Sequence, residues 1–354
     1  MNILLLDQFS DLGGAQQALL ELLPAIRQRG WRSLVGLPGN GKLFELVRAL
    51  GGTVERIDCG PVARTPRLAA QIASLARAAR ADIVYLNGPR LAPAAALAGL
   101  SCPVVFHSHS PVRLAGARTA AGLGLRWTNA RVIANCNFVA AQWRPFVPAD
   151  RITIVMNGVA GPAAMRRRRL AGPPRVGCIG RISPQKGQRE FVAAAALIHA
   201  SSPDCRFAIY GDALFGDPKA ERYAAEVRSA AAGLPIEFRG WTADVYAALS
   251  ELDVLLVPSV GPEATTRVIL EAFAAGVPVI AFDTGGIAEV VEHRVTGILA
   301  RSVEEMAGEA VALLANGPEV SMARAARLAW ERRFTLERFH EAVLEFVRLP
   351  LLQS

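Results

Sequence analysis

Two glutamates, Glu263 and Glu271, stand at the ends of the stretch EATTRVILE, eight positions apart. In a continuous helix, eight residues advance about 12 Å along the axis and about 80° around it, which leaves both carboxylates near one side. We expect Glu263 in the loop before the helix, and the apolar run 268–270 against the core. Carboxylates fixed in this way can accept hydrogen bonds from hydroxyl groups at two places on one ligand. The alternative is a glutamate favoured by the helix dipole plus an ordinary surface glutamate.

A second motif, GRISPQKGQ at residues 180–188, carries the cations Arg181 and Lys186 around a Ser-Pro turn. The motif follows an apolar run typical of a strand and precedes a helical pattern. A guanidinium group and an ammonium group at a helix N-terminus suit a diphosphate. With the two glutamates, which would bond the ribose and the hexose on either side of that diphosphate, they predict a site for a nucleoside-diphosphate sugar. A surface charge pair is the alternative.

Three further stretches follow predicted strands. In DLGGAQQALL, Gly13 and Gly14 permit close approach to a diphosphate, although a plain turn explains them equally well. Trp241 lies where its ring would cover a flat heterocycle, with core packing as the alternative. In FHSHSP, His109 is placed to bond a substrate hydroxyl or phosphate. His107 need not share its site, because the strand is expected to turn there. No nearby Cys, Asp or Glu completes a zinc site, so we predict no metal.

The elements that must position these residues follow from an alternation of apolar runs with segments of helical period. The alternation extends from residue 1 to about 160 and resumes from 175 to about 334. It predicts an α/β fold of two Rossmann-like domains, whose parallel sheets face a cleft. Residues 161–174, with three prolines and four consecutive arginines, are typical of a linker. One interpretation returns the final helical stretch, about 335–354, to the first domain.

Composition limits the classes of protein and partner. The 354 residues are 52% hydrophobic and 20% charged, which is typical of a soluble globular protein with room for two cores. The formal charge of +8 favours anionic partners, but the basic residues are spread out and aromatic residues make up only 6%, so we predict no nucleic-acid partner. Five cysteines without a CxxC pair fit a reducing cytoplasm. No apolar run reaches the ~20 residues of a spanning helix, and MNILLLDQF indicates a first strand and not a signal peptide.

These motifs, in this order, resemble the retaining glycosyltransferases of family 4, which have the GT-B fold. The resemblance covers nearly the whole chain: GGAQ, ITIVMNGV, GRISPQKG and the block PEATTRVILEAFAAGVPVIAFDTGGIAEVVEHRVTGIL. It implies transfer of a sugar from a nucleoside-diphosphate sugar to a glycan, a lipid-linked saccharide or a small molecule. It also implies retention of anomeric configuration, no cofactor or metal, and a place in polysaccharide biosynthesis.

The resemblance assigns roles to most of the candidate residues. Glu263 would hold the transferred sugar and Glu271 the ribose hydroxyls, while Arg181 and Lys186 would bind the diphosphate. The resemblance also implies that the first domain binds the acceptor. In that domain, Gly13 and Gly14 would lie at the phosphates and His109 beside the sugar.

One departure from the family pattern lies after Glu263, where Ala264, Thr265 and Thr266 replace the common aromatic residue and glycine. A glycine lets backbone amides approach the donor, whereas Thr266 adds bulk and a hydroxyl at that point. The donor's identity therefore stays open. A catalytically silent protein that binds a nucleotide sugar or scaffolds an assembly is the main alternative. A nucleotide-sugar epimerase is another, although no added carboxylate cluster supports it.

Basic residues after the histidines suggest where an anionic acceptor would be met. Arg113, Arg118 and Arg126, together with the run 166–169, are placed to contact a phosphorylated lipid carrier or an anionic membrane surface. Solvated faces and a basic linker explain them equally well. Peripheral contact with the inner face of a membrane is thus an open alternative.

Overall fold

The structure is a computed structural model that divides into two compact units. Unit 1 contains Met1–Asn157 and Glu337–Ser354, and unit 2 contains Gly158–Leu336. The residues that the structure describes are 1–163, 165, 172–213, 218–315 and 320–352. The arginine run predicted in the linker, 166–169, lies outside the described residues.

Unit 1 is built on a parallel sheet. Its strands are β1 (Asn2–Asp7), β2 (Arg32–Leu37), β3 (Thr53–Arg56), β4 (Ile83–Asn87), β5 (Val104–Ser108), β6 (Arg131–Ala134) and β7 (Ile152–Ile154). They are arranged in the order β3-β2-β1-β4-β5-β6-β7, so the direction of winding reverses between β1 and β4. The central strands are apolar and buried because helices cover both faces of the sheet.

The helices that cover this sheet come between its strands. They are α1 (Gly14–Gln28), α2 (Lys42–Ala49), α3 (Thr65–Ala78), α4 (Leu91–Leu97), α5 (Ala115–Trp127) and α6 (Asn137–Ala141). The core beneath α3, α4 and α5 includes the fully buried Phe106 and Trp143, whose rings meet edge to face with centroids 5.2 Å apart. The Trp143 indole N–H donates to the Ser108 hydroxyl at 2.9 Å, which satisfies the polar end of a buried ring.

Unit 2 repeats the same plan. Its strands are β8 (Arg175–Ile179), β9 (Arg206–Tyr210), β10 (Ile236–Gly240), β11 (Val254–Val257), β12 (Val279–Phe282) and β13 (Ile298–Ala300). Its helices are α7 (Gln188–Ser201), α8 (Pro218–Ala230), α9 (Val245–Ser250), α10 (Arg267–Ala275), α11 (Val303–Ala315) and α12 (Val320–Ala329). The parallel strands are arranged in the order β10-β9-β8-β11-β12-β13, so the winding reverses between β8 and β11.

The last helix, α13 (Leu336–Leu352), lies in unit 1 from Glu337 onward. The Phe339 ring faces His107 with centroids 6.0 Å apart, and the Arg131 guanidinium lies 4.8 Å from the centre of the Phe346 ring. These contacts attach α13 to β5 and β6. Among the helices that the structure describes, none combines the length and the apolar character needed to cross a membrane.

In each unit, the reversal of strand order marks the place where a ligand is expected. The loops on either side of a reversal turn to opposite faces of the sheet and leave a crevice at the carboxyl ends of the strands. In unit 1 the residues at this point follow or end β1 and β4. In unit 2 they follow β8 and β11.

Candidate functional site

The loop after β8 is held in place by a buried amide. Gln188, at the first position of α7, donates from Nε2 to the carbonyl oxygen of Arg181 at 2.9 Å and accepts the Ser183 amide at 3.2 Å. A 3-10 turn, Pro184–Lys186, completes the loop, and Gly187 follows with φ of 69°, a conformation that favours glycine. The loop therefore presents Lys186 from a fixed backbone.

The loop after β11 contains Glu263, which precedes α10 as expected. Its backbone is held by the glycine pair after β12. The Gly286 amide donates to the Glu263 carbonyl oxygen at 2.9 Å, and the Thr284 hydroxyl donates to the Gly261 carbonyl oxygen at 2.7 Å. Gly285 has φ of 58°, and a Cβ atom there would lie 2.0 Å from the Glu263 carbonyl oxygen. Only glycine fits at this position while the Glu263 loop keeps its place.

The two loops meet, and they bring Lys186 and Glu263 together. The Val260 amide donates to the Gln185 carbonyl oxygen at 2.9 Å. The Lys186 Nζ atom lies 3.0 Å from Glu263 Oε2, and the two side chains keep 25% and 22% of their surface exposed. An ammonium group and a carboxylate thus share one accessible position at the strand-order reversal of unit 2.

Glu271 lies on the first helix after this loop. Its Oε1 atom is 3.9 Å from Arg267 Nε one turn earlier, which is a loose ion pair. Arg267 also donates to the Gly158 carbonyl oxygen at 3.3 Å. The apolar run between the glutamates is buried, as expected: Val268, Ile269 and Leu270. The helix is therefore fixed against the core of unit 2, and it carries Glu271 on a partly exposed face.

Three hydroxyl oxygens in these loops are buried and make no hydrogen bond within the described part of the chain: Ser183, Ser259 and Thr266. Thr266 is 8% exposed and directly precedes α10, whose first turn has no side-chain cap. Buried hydroxyl groups in native proteins usually have a partner. These oxygens are therefore candidates to bond a ligand.

Arg181 and Trp241 take different places relative to the reversal. Arg181 lies in the loop after β8 and is partly exposed. Trp241 follows β10, the edge strand of the sheet, which β9 separates from β8. Trp241 is 54% exposed, so the core-packing alternative for this residue is wrong.

In unit 1, the reversal of strand order holds a buried carboxyl group that the sequence motifs did not single out. Asp7 ends β1 and is fully buried. Its carboxylate accepts the Phe9 amide at 2.8 Å and the Gln16 side-chain amide at 3.0 and 3.1 Å, and it also accepts from Asn87 Nδ2. Burial raises the pKa of Asp7 from 3.8 to about 6, although these hydrogen bonds partly offset that effect.

His109 joins the same network. Its Nε2 atom lies 2.7 Å from Asn87 Oδ1, and its ring stacks on that of His107 with centroids 3.8 Å apart. The two histidines therefore lie together, although the sequence did not require it. His107 is buried and bonds the Tyr85 hydroxyl through Nδ1, and burial, with His109 nearby, lowers its pKa well below the ordinary value. Within the described ranges, no three Cys, His, Asp or Glu side chains are grouped as for a metal ion.

The two glycines of the first motif begin α1. Gly13 is its N-cap and Gly14 its first residue. A Cβ atom on Gly13 would lie 2.9 Å from Gln16 Oε1, so a larger residue would disturb the side chain that bonds Asp7. A sequence signal for the missed residues does exist, because the runs NILLLD and DIVYLN both end in a short polar residue. Asp7 and Asn87 are direct partners in the parallel pairing of β1 with β4.

A pocket of about 430 Å³ opens at the carboxyl ends of β2 and β3. Its lining includes Arg56, Asp58, Cys59 and Arg64. Asp58 pairs with Arg64 at 3.2 Å, and the Arg56 Nε atom donates to the Asn40 side-chain oxygen at 3.1 Å. The pocket therefore offers guanidinium groups and a carboxylate at the carboxyl ends of the strands, where Asp7 also lies.

Comparison with known families decides how this arrangement is interpreted. Residues 12–160 match the model for Glycosyltransferase Family 4, and residues 173–316 match that for Glycosyl transferases group 1. The two matches together span more than four-fifths of the chain. The chain belongs to the family 4, group 1 glycosyltransferases.

Curated relatives agree with this family. A GDP-mannose-dependent alpha-(1-6)-phosphatidylinositol monomannoside mannosyltransferase of Mycobacterium tuberculosis is 32% identical over 48% of this chain and 46% of its own length. The phosphatidyl-myo-inositol mannosyltransferase of Mycobacterium leprae is 27% identical over 86% of this chain and 84% of its own. The chain spans about half the length of the first curated relatives it matches.

Solved structures share the fold of this family 4 glycosyltransferase. The HepE protein of Anabaena, in complex with UDP, is 26% identical with a TM-score of 0.85, covering 98% of this chain and 99% of its own. A sucrose-phosphate synthase of Thermosynechococcus elongatus has a TM-score of 0.82 at 19% identity and covers all of both chains. The GT-B fold class predicted from the sequence is confirmed.

Proposed function

We propose that the protein transfers a sugar from a nucleoside-diphosphate sugar to an acceptor hydroxyl, with retention of anomeric configuration. The observation that carries the proposal is the contact between Lys186 and Glu263 at 3.0 Å, at the strand-order reversal of unit 2. A cation suited to the diphosphate lies directly beside a carboxylate suited to sugar hydroxyls. The bond broken in the reaction is the bond that joins the diphosphate to the sugar of the donor.

The other candidate site residues of unit 2 also have roles in this proposal. Arg181 and Lys186 neutralise the diphosphate, Glu271 accepts hydrogen bonds from the ribose hydroxyls, and the exposed Trp241 covers the base. The buried Thr266 hydroxyl donates to a phosphate oxygen, so the departure from the family's glycine supplies a hydrogen bond in place of space. In unit 1, Gly13 and Gly14 admit a phosphate group to the start of α1, and His109 bonds a sugar hydroxyl.

The proposed reaction balances without a metal or cofactor. The bond from the anomeric carbon to the phosphate oxygen breaks, and a bond from that carbon to the acceptor oxygen forms on the same face of the sugar. The acceptor's proton passes to the departing phosphate oxygen. Protein groups act by stabilising the charge that develops on the leaving diphosphate, which is electrostatic preorganisation.

UDP-glucose and GDP-mannose are the first donors to test. HepE structures contain UDP and UDP-glucose, and one relative is described as GDP-mannose-dependent. We expect one of these donors to raise the melting temperature of the wild type and to be hydrolysed slowly in the absence of acceptor. NMR of the glycoside product reports its anomeric configuration, and added EDTA should leave the rate unchanged.

Two variants test the residues that carry the proposal. Lys186→Gln should weaken binding of the nucleoside diphosphate about tenfold or more, since a hydrogen bond to a charged group contributes about 1.5–3 kcal/mol. Glu263→Gln should preserve nucleotide binding and abolish sugar release. Arg189→Gln, which removes an exposed cation paired with Glu226 at 3.6 Å, is the matched control and should change neither. A wild type that binds a nucleotide sugar and never turns it over would instead support the silent binding protein.

The acceptor is proposed to bind unit 1 and to be anionic. The pocket beside β2 and β3 offers Arg56 and Arg64 to a phosphate or carboxylate group. The exposed face of α5 and the two residues just before the helix combine basic and apolar side chains: Arg113, Leu114, Arg118, Leu123, Arg126 and Trp127. This combination suits peripheral contact with an anionic membrane surface, where a lipid-linked acceptor would be found.

A further inference from the structure

Asp7, Asn87 and His109 form a continuous chain of hydrogen bonds at the strand-order reversal of unit 1. Asn87 Nδ2 donates to Asp7 Oδ2 and, at 3.1 Å, to the carbonyl oxygen of Ala15. A carboxylate and a carbonyl oxygen are both acceptors, and both contact the same end of the amide. The orientation of the Asn87 amide is therefore fixed by its partners, with Oδ1 directed away from Asp7.

The other end of the Asn87 amide determines the protonation of His109. Oδ1 lies 2.7 Å from His109 Nε2. An amide oxygen can only accept, so Nε2 must carry a proton. In the neutral imidazole the lone pair then lies on Nδ1. The buried carboxylate thus selects a tautomer two hydrogen bonds away.

We propose that Asp7 and Asn87 are positioning residues that hold His109 in its Nε2–H tautomer, so that Nδ1 accepts a hydrogen bond from a hydroxyl of the sugar substrate. The contact between His109 and the sugar rests on the proposed function. The assignment of the tautomer rests only on the hydrogen bonds among Asp7, Asn87 and His109. The backbone of His109 is also fixed, because Asn135 Nδ2 donates to its carbonyl oxygen at 2.9 Å.

Replacing one oxygen of Asp7 shows how the network transmits its effect. The carboxylate accepts hydrogen bonds from Phe9, Gln16 and Asn87, so both oxygens face donors. In Asp7→Asn, the new NH₂ group meets the NH₂ group of Asn87. Asn87 relieves this conflict by turning its oxygen toward position 7, and it loses its hydrogen bond to the Ala15 carbonyl oxygen in doing so. Its NH₂ group then faces His109, which must accept at Nε2 and carry its proton on Nδ1.

Protonation of Asp7 at Oδ2, the oxygen that accepts from Asn87, imposes the same conflict on the wild type as the pH falls. Burial raises the pKa of Asp7 to about 6, so the conflict should develop below about pH 6. Three neighbouring groups stay neutral in this range. Burial raises the pKa of Cys59 to about 12 and the pKa of Tyr85 well above its ordinary value, and burial also lowers the pKa of His107 well below its ordinary value.

The tautomer can be measured without an activity assay. A two-bond ¹H–¹⁵N correlation spectrum of the full chain, labelled with ¹⁵N-histidine, distinguishes the two neutral tautomers, and His109→Asn assigns the His109 signals. At pH 7.5 we expect Nε2–H in the wild type and mainly Nδ1–H in Asp7→Asn. Gln16→Leu removes another donor to Asp7 but leaves Asn87 in place, so it should retain Nε2–H. His293, whose Nδ1 accepts the Leu299 amide at 3.1 Å, is an internal reference that should not change.

Kinetics then test the link to the sugar. In Asp7→Asn, kcat/KM for the donor should fall about three- to tenfold, the loss of one hydrogen bond to a neutral group, while affinity for the free nucleoside diphosphate is unchanged. An Nδ1–H tautomer in the wild type, or no shift in Asp7→Asn, would overturn the network. A shift with unchanged kcat/KM would overturn the positioning role.

The same measurements separate this inference from the proposed function. If the wild type turns over no nucleotide sugar and the tautomer still shifts, the failure belongs to the proposed function and to the sugar contact. If Asp7→Asn does not fold, Asn87→Ser is the second variant. It removes the amide that links Asp7 to His109, and we expect both tautomers to be populated. A pure Nε2–H signal in Asn87→Ser would contradict the network.

Discussion

Gly285→Ala should displace the Glu263 loop and cost more than backbone strain alone. An L-residue in the left-handed conformation of Gly285, with φ of 58°, costs about 1–2 kcal/mol. The added Cβ would also lie 2.0 Å from the Glu263 carbonyl oxygen, far inside ordinary van der Waals contact. The loop must move, and the hydrogen bond from the Gly286 amide to that oxygen, worth about 1 kcal/mol, is then lost.

Gly233→Ala is the matched control. Gly233 also lies in unit 2 with φ of 83°, but a Cβ atom there would meet nothing within 4 Å. It therefore reports the cost of the backbone conformation alone, about 1–2 kcal/mol. For a domain of this size, that corresponds to a fall in melting temperature of roughly 2–8 °C. Gly285→Ala should lower the free energy of unfolding by at least about 1 kcal/mol more than Gly233→Ala does.

Activity separates the two variants more clearly than stability. A displacement of Glu263 by about 1 Å should lower kcat/KM for donor hydrolysis by about a hundredfold. Gly233→Ala should retain wild-type kcat/KM. Differential scanning fluorimetry and the hydrolysis assay give both quantities on the same preparations. Equal melting temperatures and equal kcat/KM values for the two variants would refute the role assigned to Gly285.

Three further predictions use other parts of the structure. Thr266→Val should weaken nucleoside-diphosphate binding about three- to tenfold by calorimetry, and Thr266→Ser should restore it, because only the hydroxyl is at issue; equal affinity in both variants would exclude the hydrogen bond. The raised pKa of Asp7 means that the folded state binds the Asp7 proton more tightly than the unfolded state. As the pH rises from 4 to above 6, the free energy of unfolding of the wild type should therefore fall by up to about 3 kcal/mol relative to that of Asp7→Asn. Thermal unfolding of both proteins across that pH range measures this difference. Trp127, which is 83% exposed, should contribute to flotation with phosphatidylglycerol vesicles, so that Trp127→Ser reduces binding while Val62→Ser, at another exposed apolar residue, does not.

The sequence predicted the elements whose chemistry is repetitive. Strands such as β4 and β11 are continuous apolar runs because both of their faces are buried, and these runs identified the two parallel sheets. Two of the four edge strands, β3 and β13, were missed, whereas β7 and β10 were predicted from their apolar runs. β3, with the sequence TVER, is largely exposed, and β13 has only three residues. Neither presents the pattern that burial imposes on a central strand.

The candidate site was predictable to the extent that its residues come from motifs. Lys186 and Glu263 could each be assigned to a loop after a strand, but their contact depends on the order of β8 and β11 in the sheet, which residue patterns alone did not specify. Asp7 and Asn87 were missed because a single polar residue at the end of a strand is common. Their significance is that β1 and β4 are neighbours, and that also follows from sheet order.

The two units solve different electrostatic problems at the same topological position. Where unit 2 reverses its strand order, loops present Lys186 and Glu263 with part of each side chain in solvent, so their charges are available to a charged ligand. Where unit 1 reverses, the charge of Asp7 is buried and every contact described for its carboxylate is a donor. A buried carboxylate is costly, and it is tolerated when its hydrogen bonds orient other groups. The surface of unit 2 is thus suited to hold a diphosphate, and the interior of unit 1 is suited to fix the proton of one histidine.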